Sequence, residues 1–256
     1  MFAYSANTAC DKNNFILGFN LASGNTHDST MFPSLYKDLI NKYSNIKNIA
    51  VDAGYKNPYI AKLIIDDGRV PIMPYKRPMT KSGFFKKYEY VYDEYYDCVL
   101  CPNDQILKYS TTNRKGYREF KSNPKVCKTC KYLSQCTESK NHTKVVSIHI
   151  WNNYMEKVED NRHTPKLKEI YKKRSQTIER IFADAKELHG MRYTRYRGLE
   201  KVKTELTLIF SCMNLKKLAL YKERNGFYLF NISKFIKTVR KSPLINKKVS
   251  NRILYN

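Results

Sequence analysis

Residues Lys47–Tyr75, KNIAVDAGYKNPYIAKLIIDDGRVPIMPY, read as a strand, a turn, a helix and a second strand in direct succession. The short apolar run to Val51 ends on a carboxylate, Asp52, and Gly54 lets the chain turn away without a side chain crowding it. Pro58 suits the first turn of the helix PYIAKLIIDD, Gly68 closes that helix, and RVPIMPY supplies the next strand. Two strands joined in this way form a right-handed crossover and run parallel. Ligand sites in such sheets lie beyond the carboxyl ends of the parallel strands, which is where Asp52 falls. The competing reading is that Asp52 only caps the turn that follows it.

Upstream, FAYSANTA (2–9) and FILGFNLA (15–22) alternate apolar and polar residues around the turn-forming Asp11, Lys12, Asn13 and Asn14, which predicts an antiparallel hairpin. Asp28 and Ser29 are candidate caps of an amphipathic helix reaching about Tyr43. The order β-β-α-β-α-β places these elements in one mixed sheet flanked by helices, an α/β fold. Residues 79–150 break the pattern. They are rich in Lys and Tyr, show little helical periodicity, and are poor enough in apolar residues to call for a metal in place of a core.

Five of the seven cysteines lie in that insert. Cys98 and Cys101 form one CxxC, Cys127 and Cys130 a second, and Cys136 follows. Two such knuckles complete a tetrahedral thiolate site, so Cys98, Cys101, Cys127 and Cys130 predict a structural zinc in a zinc-ribbon-like module. Cys136, His142 and His149 are spare ligands, one of which could replace a named cysteine; the alternative is a set of free thiols. Cys10 and Cys212, each in an apolar setting, read as buried.

A chain of 256 residues that is 42% hydrophobic can bury one sizeable core. Its formal charge is +24, and from Asn161 onward 24 basic residues face 7 acidic ones. A field of that sign beside 21 Tyr and 12 Phe suits nucleic acid; the alternative is a basic surface with no partner. No apolar run is long enough to span a membrane and no leader opens the chain, so a cytoplasmic location and no membrane partner are expected.

Past Asn161 the pattern turns helical. Thr164 is a natural N-cap, Pro165 fits the first turn and Gly190 is a terminator, with Leu167, Ile170, Tyr171, Ile178, Ile181, Phe182 and Ala185 as the buried face. Glu179 borders that stripe and Lys186 follows two turns later on the same side. MRYTRYRG (191–198) mixes Arg192, Arg195 and Arg197 with Tyr193 and Tyr196, either as a clamp on a nucleic-acid backbone or as a basic link between helices. Leu199, Val202, Leu206, Ile209, Met213 and Leu220 predict a further helix, packed in the core or serving a dimerising coiled coil in a homodimer. A basic tail follows.

VDAGY (51–55), a cysteine-bearing insert, YKKRSQTIERIFADAKELHGMRYTRYRGLEKV (171–202) and MNLKKL (213–218) together resemble the DDE-domain transposases of bacterial insertion sequences. The likeness runs from about Phe2 to Leu220, with the Glu179 segment as its most specific part. It implies an RNase H-like fold and three carboxylates holding two Mg or Mn ions, with Asp52 as the second acid and Glu179 as the third. Such ions, roughly 3.5–4 Å apart, activate the attacking hydroxyl and stabilise the leaving oxygen in phosphoryl transfer. DNA, as transposon ends and target, is the implied partner, and Lys186 is placed near a phosphate. Tyr171, Arg174, Glu179 and Lys186 resemble the family's Y-x2-R-x3-E-x6-K signature, with one extra residue between Arg174 and Glu179 that turns Arg174 off the Glu179 face. The family's first aspartate, in a D-P-E-S-like motif on the strand before the hairpin, has no counterpart; Asp28 is the conceivable substitute, and Asp11 falls at the wrong end of the sheet. A C-terminal portion of a transposase is therefore expected, divided as 1–78 (catalytic domain without its first strand), 79–150 (insert), 151–222 (helical part) and 223–256 (tail). The alternative is an inert, zinc-stabilised nucleic-acid-binding module.

Overall fold

The computed structural model describes residues 3–225. The tail expected at 223–256 lies outside the described residues from 226 onward. The chain divides into two compact units, one holding the first eight residues with 18–176, the other holding 9–17 with the residues from 177 on.

The first unit starts from β1 (Tyr4–Cys10) and β2 (Ile16–Ser23), which pair; their residues within 9–17 are counted with the second unit. Next come α1 (Asp28–Lys42), β3 (Asn48–Ala50), a 3-10 turn at Ala53–Tyr55, α2 (Pro58–Asp66) and β4 (Val70–Ile72). The parallel pairing expected of Lys47–Tyr75 is present: Asn48 lies opposite Val70, and Ala50 opposite Ile72. Asn57 caps α2 by accepting from the Ile60 amide at 2.9 Å, with Pro58 at its first turn. Phe32 and Tyr36 from α1, Ile60, Ala61 and Ile64 from α2, Val51, Met73 and Val158 form its core.

The single mixed sheet does not form as a continuous ladder. Among the described residues β1–β2 and β3–β4 are separate two-stranded sheets. Strand length and Pro71 account for this. The Val70 amide donates to Lys47 O at 2.9 Å, so alternation turns the Pro71 nitrogen to the outer edge of β4, where it has no N–H to offer a further strand. β3, at three residues, has few groups to pair on its other side.

Residues 91–149 form a five-stranded antiparallel meander, β5 (Val91–Asp93), β6 (Cys98–Leu100), β7 (Ile106–Thr112), β8 (Tyr117–Lys121) and β9 (Val145–His149), in that order. Two single-turn helices, α3 (Pro124–Cys127) and α4 (Leu133–Cys136), stand between β8 and β9. Contrary to the expectation of a core-poor insert, Tyr90, Val99, Leu107, Phe120, Val146 and Ile148 make a hydrophobic cluster of their own, with Val99 and Phe120 fully buried. Tyr90 precedes β5, each of β6 to β9 contributes only one or two of these residues, and the meander gathers them on one face.

α5 (Asn152–His163) and α6 (Pro165–Lys172) follow. The helix expected to run unbroken to Gly190 is interrupted: a 3-10 turn occupies Lys173–Gln176, and Thr177, at φ −112° and ψ −94°, leaves the helical region. Thr164 holds the N-cap position of α6 but makes no capping bond with its side chain, which donates instead to Asp160 O at 3.4 Å.

The second unit contains α7 (Ile178–Leu188), α8 (Leu199–Arg224) and the 9–17 turn. Asp11 organises that turn by accepting from the amides of Asn13 and Phe15 at 2.9 and 2.8 Å. Asn214 of α8 brackets Ile16, accepting from its N–H and donating to its carbonyl, both at 2.9 Å. Gly190, at φ 71°, ends α7 as expected, and the Met191 amide returns to Ala185 O. Val202, Leu206, Phe210 and Met213 are the buried face of α8; Leu199 and Leu220, expected there, are exposed, and Phe210 was not foreseen. Cys212, read as buried, is exposed, and Cys10 is half-buried.

Candidate functional site

Asp52 follows the last backbone bond of the parallel pair, from the Val51 amide to Ile72 O at 3.0 Å. Its Oδ1 accepts from the Ala53 amide at 2.7 Å, so it does cap the 3-10 turn, yet its side chain remains 59% exposed. Gly54 is not needed to make room, since a Cβ there would meet nothing within 4 Å. Arg174, which the signature spacing set aside, is brought to the carboxylate: its Nη1 lies 3.4 Å from Asp52 Oδ1 and donates to the Tyr171 hydroxyl at 3.1 Å. The 3-10 turn after α6 makes this approach available.

Tyr55 sits beside this pair. Burial, then the charges of Asp28 and Asp52, push its hydroxyl up to about 12 against the opposing pull of Arg174. The charges of Asp28 and Asp52 thus both act on one phenol. Asp28 is the first residue of α1, where a carboxylate suits the helix dipole, but it is not the cap. His27 caps through its ring, accepting from the Ser29 amide, while Asp28 Oδ1 accepts from the Ser5 hydroxyl at 3.0 Å. The turn bearing Asp52 is anchored four residues on: Lys56, whose side chain is only 8% exposed, pairs through Nζ with Glu159 of α5 and donates to Pro74 O at 3.0 Å.

In the second unit Glu179 lies in the first turn of α7 and Lys186 in its last, both exposed and seven residues apart on one side of the helix. The 191–198 segment links α7 to α8. Thr194 donates to Glu205 and accepts from the Tyr196 amide, which fixes the loop. Arg195 and Arg197 are exposed, as are Tyr193 and Tyr196 at 72% and 51%. Arg192, grouped with them by sequence, is ion-paired to Glu187.

The zinc set of the sequence reading is not what the insert gathers. Cys98 lies within β6 opposite Asp93, whereas Cys101 lies in the turn after it, bonded through its backbone to Gln105 and Asp104. Cys98 is thus held by the β6 ladder and Cys101 by the turn, and of the two only Cys101 lines the cavity where the other insert cysteines meet. Cys101, Cys127, Cys130 and Cys136 line one cavity, with Leu107, Ser122 and Lys144. Burial pushes the Cys136 thiol up, against the hydrogen bond of Tyr90 and the charge of Lys144. His149 instead packs on Tyr117 and Trp151. Among the described residues no three His, Cys, Asp or Glu side chains stand grouped as they would to hold a metal ion, either for zinc or for Mg and Mn.

No described helix is long and apolar enough to cross a membrane. No curated protein and no solved structure matches the chain. A family model described as a transposase DDE domain matches residues 100–219, just under half of the chain, taking in Glu179, Lys186 and the 191–198 loop but not Asp52. Over that stretch the chain is similar to the DDE transposases.

Proposed function

We propose that this chain cleaves and joins DNA at the ends of an insertion sequence, using Asp52 and Glu179 as catalytic carboxylates in an RNase H-like domain. The observation that carries the reading is the transposase match over 100–219, which contains Glu179. Asp52 and Glu179 are exposed oxygen donors, the ligand class that Mg and Mn take, so the residues fit the implied ions in chemistry. When bound, two such ions supply charge stabilisation to the attacking and leaving oxygens. Asp28 is the candidate third carboxylate, an acid of the same unit whose charge, like that of Asp52, is felt at the Tyr55 hydroxyl.

The remaining residues position the reactants. Arg174 and the Ala53 amide both address Asp52 Oδ1 and fix the carboxylate's orientation. Lys186, Arg195 and Arg197 are exposed cations suited to phosphate, and Tyr193 and Tyr196 offer rings on which bases can stack. Arg192 would have to leave Glu187 to contribute.

The test is Mg- or Mn-dependent nicking and strand joining on DNA carrying the element's own ends. Asp52→Asn and Glu179→Gln should each lower the rate at least 100-fold, and Asp28→Asn likewise if it is the third acid. Undiminished cleavage in Asp52→Asn and Glu179→Gln overturns the assignment. Arg174 occupying Asp52 favours a second reading, an inert DNA-binding module, for which binding would persist without any cleavage in the unaltered chain.

A further inference from the structure

The cysteine cavity of the insert is a site in its own right and does not depend on the transposase reading. Its thiols come from three separate pieces of chain: Cys101 from the turn after β6, Cys127 and Cys130 from the end of α3 and the turn that follows, and Cys136 from the end of α4. They surround a cavity of about 50 Å³. The pair at 127 and 130 is a true knuckle, closed by the Cys130 amide donating to Cys127 O at 3.1 Å. Cys101 is held in a second turn, in which the Asp104 amide donates to its carbonyl at 2.8 Å.

We propose that Cys101, Cys127, Cys130 and Cys136 bind one zinc ion as an all-thiolate tetrahedral site, with Cys98 outside it. All four are free thiols, and a set of four soft ligands is the donor chemistry zinc selects. A Zn–S bond near 2.3 Å puts tetrahedral sulfurs about 3.8 Å apart, so the thiols close inward on binding by rotating about χ1. Four thiolates around Zn2+ carry two net negative charges. Lys144, which lines the cavity and donates to Cys136 O at 2.9 Å, lies where it offsets them. The Tyr90 hydroxyl, 3.3 Å from Cys136 Sγ, is placed to hydrogen-bond the bound sulfur, as outer partners of metal ligands do. The site ties α3 and α4, which are single turns, to the β6–β7 turn of the meander.

The full chain, purified with zinc in the medium, should carry about one zinc per molecule by elemental analysis. Cys136→Ser and Cys101→Ser should reduce this at least fivefold, whereas Cys98→Ala should leave it unchanged. Because a ligand variant can fail to fold, the unaltered chain is also reconstituted with Co2+. A tetrahedral ligand-field band with sulfur-to-metal charge transfer, and X-ray absorption showing four sulfur ligands and no nitrogen, are expected. A zinc-free chain that takes up no Co2+, loss of zinc in Cys98→Ala with retention in Cys136→Ser, or an iron–sulfur chromophore would each overturn the assignment.

Discussion

Replacing Glu159 with alanine should destabilise the first unit by about 2 kcal/mol, because it strands the Lys56 ammonium. The Lys56 side chain is 8% exposed, and its Nζ has two partners, Glu159 and Pro74 O at 3.0 Å. A hydrogen bond involving a charged group contributes about 1.5–3 kcal/mol. Pro74 remains in the variant, and Glu159 at 37% exposure admits water, so the full cost of an isolated buried charge is not reached. With a urea slope of about 2 kcal/mol/M, the midpoint should fall by about 1 M. Lys56→Met should cost less, about 1 kcal/mol, because Glu159 keeps the Arg162 Nε bond at 2.8 Å and no cation is left behind. The double variant should therefore lose clearly less than the sum of the two. Acid unfolding gives an independent check. Burial raises the Glu159 carboxyl, but Lys56 and Arg162 outweigh it and hold it below the ordinary glutamate range. A depressed folded value means the stabilisation is present above the unfolded value near 4.3 and is lost as pH falls through the folded one. Glu159→Ala should lack that part of the acid limb. A midpoint shift under about 0.25 M, or additive single variants, would refute the reasoning.

Tyr36→Phe removes the hydroxyl that donates to Asp67 at 2.7 Å, and should cost about 1 kcal/mol, seen as a melting point lower by about 2–4 °C. Asn214→Ala leaves both backbone groups of Ile16 unmatched; a loss of about 2 kcal/mol and faster exchange of the Ile16 amide, read by hydrogen exchange, are expected. Arg195→Ser with Arg197→Ser should flatten the slope of log affinity against log salt on duplex DNA by about 0.9 per arginine, with the circular dichroism unchanged.

The sequence signalled structure wherever local chemistry is self-sufficient. Pro58 and Gly68 bracket α2, Gly190 ends α7, and Asp11 builds the turn before β2, each through bonds within a few residues. The motif points to Glu179 and the strand end to Asp52, and of the two only Glu179 falls within the transposase match. What stayed hidden depends on long-range or odd-numbered geometry. The meander core is spread as single residues, Val99, Leu107 and Phe120 among them, through polar strands, so no window shows it. The break before α7 has no Pro or Gly to announce it; Thr177 is an ordinary residue in an unusual conformation. A single unbroken helix would turn Arg174 off the Glu179 face. Once α6 gives way to a 3-10 turn, its side chain goes to Asp52 instead. The CxxC at 98–101 is divided in a similar way, since Cys98 lies within a strand and Cys101 in the turn beyond it, and only Cys101 lines the cavity.

The two readings of Asp52, cap and catalytic acid, turn out not to compete. A cap bond from Ala53 uses a single lone-pair direction of one oxygen, and a carboxylate has about four. The cap therefore orients the group while leaving most of its acceptor capacity for other partners. Arg174 is a stronger claim on the same oxygen, but at 3.4 Å the contact is long for a charge-assisted bond and the carboxylate is over half exposed, so the pair is one that a polyanion can separate. A DNA phosphate arriving near Asp52 would draw Arg174 toward itself, freeing the carboxylate as the substrate docks. Arg174→Lys keeps the charge but not the planar fork, and should raise the substrate concentration needed for half-maximal nicking more than it lowers the maximal rate. An equal fall in both Asp52-dependent nicking and DNA affinity would instead make Arg174 a simple phosphate contact.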